Sequence, residues 1–353
     1  MRTEVGLRRR VTAGAKAMKM NAGIVGCGDI AGYTAFFMRL NCGITMTACC
    51  DISPERAAVF ARRHGIKQVF TDYARMLAGA RLDAVYLAVP HNLHFQMIKR
   101  AIEADKHVLA EKPLTRTFAE GVEIVKIAQQ AGVKLAVNYQ YRYDAGCYRL
   151  ARAVQSGQIG DVCYARINIP WHRDRNYFES SPWHKSLAQA GGGTLITQGS
   201  HFLDTALWAC KSPPVSATGM TAKRVFSDVE VEDLATGIIE LGNGALIEIC
   251  SSMAAAKEQA VSIEIYGSRA TAFYTDRPLP RVRFIGAGVK TENVPVFGFH
   301  ALQRSIEGFR RWVDGGEPHL AAGNQSLPVL AAVEAIYRSA GSRVVEKVEN
   351  IIA

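Results

Sequence analysis

Five short apolar runs in the first 140 residues end in polar or glycine-rich turns: AGIVGCGDI, ITMTACCD, LDAVYLAVP, KHVLAEKP and VKLAVNYQ. Between them lie amphipathic patterns that predict helices over residues 31–40, 54–64, 73–78, 93–104 and 117–131. Strands that are apolar throughout must be covered on both faces, and helices alternating with them supply the cover. The first half is therefore expected to fold as a parallel sheet between helical layers. At 353 residues the chain exceeds what one core fills, so a second domain is expected.

The first of these turns reads Gly26-Cys27-Gly28-Asp29-Ile30-Ala31. This is the GxGxxA form of the dinucleotide fingerprint: a tight turn at Gly26, close approach of a pyrophosphate at Gly28, and tight helix–strand packing at Ala31. The helix opening at Asp29 and Ile30 offers free N–H groups and the positive end of its dipole to phosphate. An acid, Asp51, closes the second run, where it would accept hydrogen bonds from ribose hydroxyls and repel a 2′-phosphate. NAD is the expected cofactor, with Arg56 leaving NADP as the alternative.

Composition excludes several classes. The chain is 48% hydrophobic and 21% charged, the balance of a globular protein. No stretch approaches the roughly 20 apolar residues of a membrane span. Residues 1–20 carry six basic side chains against Glu4, half of the net charge of +10. They lack an apolar core of signal-peptide length and are expected to be a flexible basic extension. The remainder shows no basic cluster of the kind that binds nucleic acid. The eight cysteines form no CxxC pair, which fits buried, reduced thiols and a cytoplasmic setting. Cys49 and Cys50 are expected on opposite sheet faces. The nine histidines form no HxxxH or HxxE cluster, so no metal is expected.

The second half is β-rich, with VCYARINIPWH, VSATGMTAKRV, EVEDLATGIIEL, GALIEICSSM, QAVSIEIYGS and RATAFYT as strand candidates. Gly242-Asn243-Gly244 predicts a hairpin turn, and residues 301–315 and 327–342 read as closing helices. The expected division is an extension over 1–20, a dinucleotide-binding domain over 21–142, and a second, β-rich domain over 143–353.

Glu111-Lys112-Pro113 ends the fourth run, at the sheet edge where open α/β folds bind ligands. Together with VPHNLHFQMIKRAIEADKHVLAEKPLTRTFAEG, YQYRY, SGQIGDV and GGGTLITQGSHFLD, it resembles the glucose–fructose oxidoreductase/inositol dehydrogenase/rhizopine catabolism (Gfo/Idh/MocA) family. The resemblance runs from about residue 21 to the C-terminus. It implies an N-terminal Rossmann domain, a C-terminal α/β domain for substrate binding and oligomerisation with an open, mostly antiparallel sheet, and a homodimer or homotetramer formed through that sheet. It implies a sugar, cyclitol or sugar-nucleotide substrate, with Lys112 beside the nicotinamide and His201 as a proton-transferring group. It also suggests a cis peptide before Pro113.

Residues 191–193 are read as a permissive glycine lead into a helix over 194–208 that presents Thr197 and His201 on one face, with Asp204 within reach of the histidine. Many members carry an aspartate at the position of Thr197. Its absence, with the glutamine that follows in TQGSH and the VEVEDLA stretch, resembles sugar-nucleotide dehydrogenases and 3-keto-sugar enzymes more than inositol dehydrogenases. Either Lys112 or His201 serves as the base. Pro90, Asn92, His94 and Glu111 are expected at the cofactor; Tyr139, Arg142, His172 and Tyr177 are expected at the substrate, with Trp171 and Lys185 in the same loop. The competing readings are a cofactor-retaining lyase or epimerase working through a transient keto sugar, a cyclitol dehydrogenase, and a non-catalytic dinucleotide sensor.

Overall fold

The computed structural model describes residues 19–41, 43–286 and 288–349; of the extension expected over 1–20, residues 1–18 lie outside them, and Met20 already belongs to the first strand. The first sheet has six parallel strands in the order β3-β2-β1-β4-β5-β6. They are β1 (Met20–Val25), β2 (Ile44–Cys50), β3 (Gln68–Phe70), β4 (Ala84–Leu87), β5 (His107–Ala110) and β6 (Leu135–Val137). Helices α1 (Asp29–Arg39), α2 (Pro54–His64), α3 (Tyr73–Gly79), α4 (His94–Glu103) and α5 (Phe118–Gln130) connect them. Their ends follow local chemistry. Ser53, Asp72 and Thr117 accept backbone N–H groups as N-caps, and Gly65 closes α2 at φ +72. The strand order reverses between β1 and β4, which opens a crevice at the carboxyl edge. Cys49 and Cys50 belong to the two separate cores flanking this sheet, as strand alternation requires. Of the seven described cysteines, four are buried, Cys163 is exposed, and Cys210 and Cys250 are half-buried, so burial is not general.

After α6 (Ala145–Gln155) the chain builds an eight-stranded sheet, ordered β13-β12-β11-β7-β10-β9-β8-β14. Its strands are β7 (Val162–Pro170), β8 (Pro214–Ala222), β9 (Leu234–Leu241), β10 (Leu246–Ser252), β11 (Ser262–Gly267), β12 (Ala270–Thr275), β13 (Arg281–Gly286) and β14 (Glu346–Lys347). Every pairing is antiparallel except β7 with β10. The hairpin at Gly242–Gly244 joins β9 to β10, with Gly244 at φ +83. Short helices α7 (Arg175–Glu179) and α8 (Leu187–Ala190) precede α9 (Ser200–Cys210), and α10 (Ala301–Val313) and α11 (Leu327–Ser342) close the chain. Strands β7, β9 and β10 alternate buried and exposed side chains, so one face packs under helices and the other is open. Helix α10 leaves the second sheet and returns to α1, where Leu302, Ile306 and Phe309 complete the core around Ile24, Ala31 and Phe37.

Candidate active site

The turn after β1 divides its glycines between two duties. Gly26 sits at φ +83, and a Cβ there would lie 2.1 Å from the Ala88 carbonyl oxygen. A Cβ at Gly28 would meet nothing within 4 Å. Gly26 makes the turn and Gly28 leaves room above the N-terminus of α1, which no side chain among the described residues caps. A cleft of about 590 Å³ opens there, lined by Gly28, Asp29, Tyr33, Glu55 and Arg56. Asp51 braces the turn: Oδ2 accepts from the Cys27 N–H and Oδ1 from the Ser53 N–H, each at 2.9 Å. Each oxygen keeps a lone pair for a ribose hydroxyl. Arg56, largely exposed, lies 3.4 Å from Asp51. Ile30 is exposed beside this opening, Asn92 is exposed past β4, and Pro90 is half-buried. Open space at Gly28 and an acid at the end of β2 fit a dinucleotide.

His94 and Glu111 do not contribute side chains to that opening. His94 is fully buried, with its two ring nitrogens at 2.7 and 3.0 Å from the carbonyls of Pro113 and Val89. It ties the end of β4 to the turn after β5. Glu111 points inward, accepting from Tyr86 Oη at 2.6 Å and Asn138 Nδ2 at 2.7 Å. His91 is spent similarly, 2.7 Å from the Ala190 carbonyl. The Lys112–Pro113 peptide is cis.

Lys112 projects from this braced turn to the second domain, where its Nζ donates to the Thr197 carbonyl at 2.5 Å. The segment expected as plain α-helix is not uniform: Leu195–Gly199 forms a π-turn before α9 begins. The extra residue turns backbone carbonyls away from the regular α register. Burial lowers the Lys112 pKa to about 8, against the attraction of Glu111 and with help from Arg173. His201 is buried, its Nδ1 has no partner among the described residues, and burial followed by the Lys112 charge pushes its pKa well below the ordinary value. It is neutral at pH 7. Tyr139 and Tyr141 stand edge-on to its ring at 6.0 and 5.4 Å.

Asp204 does not serve His201. It forms a buried two-pronged pair with Arg142, at 2.6 and 2.8 Å, and Arg142 also donates to the Leu320 and Gln325 carbonyls. Arg142, expected at the substrate, is 2% exposed and fully committed to anchoring α9. Tyr139, expected there as well, is completely buried behind His201. His172 is held outward by the Ala255 carbonyl at 2.8 Å.

Its neighbour Arg173 lies over the rings of Trp171 and Tyr177 and pairs with Glu258 at 3.3 Å. Tyr177 does reach the site, with its hydroxyl toward Thr197 and Gln198. Beside it His184 stacks on Trp183 at 3.7 Å; burial and the Lys112 charge bring its pKa down to about 4. Arg173 and His184 were not singled out in the sequence. The one available signal was their place in the same polar-aromatic stretch, because which side chains of an irregular loop turn inward depends on its path.

A Rossmann sheet with an open glycine turn, and a desolvated lysine held at its edge against a second domain, define a dinucleotide-dependent oxidoreductase. The chain belongs to the GFO/IDH/MocA family. Residues 20–139 match the oxidoreductase family with an NAD-binding Rossmann fold, and residues 148–273 match the GFO/IDH/MocA C-terminal domain. The 1,5-anhydro-D-fructose reductase of Ensifer adhaerens is 24% identical over 93% of this chain and 98% of its own length. The D-glucoside 3-dehydrogenase of Escherichia coli is 26% identical, over 92% and 97%. The crystal structure of the WlbA dehydrogenase from Bordetella pertussis, in complex with NADH and UDP-GlcNAcA, superposes with a TM-score of 0.85 at 25% identity, over 94% of this chain and all of that one.

Proposed function

We propose that this protein interconverts a secondary hydroxyl and a ketone on a sugar or sugar nucleotide, with Lys112 as the proton-transferring group. The observation that carries this reading is the Lys112 ammonium, desolvated at the carboxyl edge of the Rossmann sheet and held by the Thr197 carbonyl. The sugar-directed relatives support the substrate class. Bound nicotinamide supplies the hydride acceptor. The reacting hydroxyl loses its proton to neutral Lys112, whose lowered pKa makes that form accessible near physiological pH. His201 stays neutral and hydrogen-bonds the same oxygen, which orients it. Tyr177 and the aromatic loop flank the sugar ring, and Arg173 adds positive charge beside them.

Two measurements test this. NADH formation is followed across free sugars, cyclitols, sugar acids and UDP-sugars, with Lys112→Met in parallel. The wild type turns over a member of the sugar or UDP-sugar groups, and the variant loses about 10²–10⁴-fold while still binding NADH. Turnover only on a cyclitol would move the substrate class; an unaffected variant would remove Lys112 from the chemistry. The pH profile supplies the sign. Oxidation needs the neutral amine, so kcat/KM for oxidation rises with pH through about 8 and levels above it; reduction shows the opposite limb.

We also propose self-association through the open face of the second sheet. Tyr164, Met220, Ile238 and Leu246 stand on it, 42–60% exposed, around the Arg166–Glu248 pair. Light scattering should give a dimer or tetramer for the wild type, and smaller particles for Ile238→Arg.

A further inference from the structure

Glu232 stands in the VEVEDLA stretch just before β9, and the reaction proposed above gives it no task. It is a buried carboxylate, and no cationic side chain pairs with it among the described residues. Its oxygens accept from the Gly193 N–H at 2.7 Å, the Leu195 N–H at 3.0 Å and the Tyr337 hydroxyl at 2.8 Å. Its own carbonyl accepts from the Thr194 N–H at 3.0 Å. Four consecutive amides are thereby fixed, since Tyr337 Oη also receives the Ile196 N–H at 3.3 Å. Adjacent Asp233 accepts from the N–H groups of Arg224, Val225 and Phe226, which pins the backbone that carries Glu232.

The glycines are shaped to this carboxylate. A Cβ on Gly193 would lie 1.8 Å from the Glu232 carbonyl oxygen, and one on Gly192 would lie 2.2 Å from Tyr337 Oη. The clamped segment runs directly into the π-turn whose Thr197 carbonyl receives Lys112, and Thr197 itself bonds back to the Gly193 carbonyl through both N–H and Oγ1.

We infer that Glu232 is a positioning residue for Lys112. By clamping the amides of residues 193–196 it fixes the π-turn, and the π-turn sets the carbonyl that holds the lysine inside the interface. This rests on the reading of Lys112 as the proton-transferring group. Glu111 faces that lysine from its own strand end, Arg173 and His184 from the aromatic loop, His201 from α9 and His91 from the end of β4. Loosening the π-turn leaves all of these in place but lets water reach the amine.

The test measures Lys112 directly, by competitive acetylation across pH with mass-spectrometric readout on the full-length protein. In Glu232→Gln, Lys112 should titrate above the wild-type value of about 8, toward the ordinary 10.5. The acid limb of kcat/KM should move up with it, and kcat should fall on the order of tenfold to 10²-fold, with NADH affinity unchanged. Tyr337→Phe removes one of three donors and should shift Lys112 the same way by less; it decides the matter alone if Glu232→Gln does not fold. A folded variant whose Lys112 titrates as in the wild type overturns the inference. Retained turnover in Lys112→Met overturns only the proton-transfer reading, because acetylation still reports whether Glu232 sets the lysine's surroundings.

Discussion

Two glycine-rich leads introduce helices in this molecule, and they treat the helix N-terminus in opposite ways. After β1 the turn is held open: among the described residues nothing approaches Gly28 and no side chain caps α1. Before α9 the same kind of residue is packed shut, with Gly192 and Gly193 pressed against Tyr337 and Glu232. Unpaired amides at a helix start attract an anion in both cases. At the first lead the anion is to come from the cofactor; at the second the chain supplies its own carboxylate. Glycine therefore marks close approach without saying whether a ligand or the protein does the approaching.

Substitutions at the two leads sharpen this contrast. Gly193→Ala forces a methyl into the Glu232 backbone and should destabilise by more than about 4 kcal/mol in chemical denaturation, or prevent soluble expression. Arg142→Met strands the buried Asp204 beneath α9 and should cost about 3–5 kcal/mol; a near-neutral result would mean that the clamp at residues 193–196 holds this helix unaided. Gly28→Ala should alter stability by no more than about 0.5 kcal/mol, yet weaken NADH binding at least tenfold, about 1.4 kcal/mol, in a fluorescence titration. Equal stability losses at Gly28 and Gly193 would erase the distinction.

The first lead was legible because its whole logic is local. GCGDIA follows an apolar run, opens an amphipathic helix and precedes Asp51 by one strand, so pattern and chemistry coincide within 26 residues. The other five strands of the first sheet announced themselves as buried apolar runs, β6 included at three residues; β3 and β13 are mostly exposed and carry no such run, and β14, two residues long, is too short for alternation to register. At the second lead the decisive partners are distant. Arg142 meets Asp204 across 62 residues and Gly193 meets Glu232 across 39, so no spacing rule could pair them. The π-turn escaped for a different reason. One inserted residue shifts an apolar face by a fraction of a turn, and a segment buried on all sides has no polar face to reveal the shift. Lys112 and His201 were found by family resemblance, whereas their electrostatic setting comes first from burial between the two domains, then from Glu111 and Arg173 at Lys112 and from Lys112 itself at His201, and burial of that kind has no sequence spacing.

Helix α10 bears on how such a protein could be recombined. A cut at residue 143 looks clean in the sequence, but it removes Leu302, Ile306 and Phe309 from the wall of the cofactor-binding half. An isolated N-terminal fragment would present that apolar gap to solvent. A chimera that exchanged everything after the cut would have to bring a replacement for α10 shaped to the first half's α1. Since α11 and β14 then return to the second sheet, where β14 pairs with β8, no single cut separates the two halves.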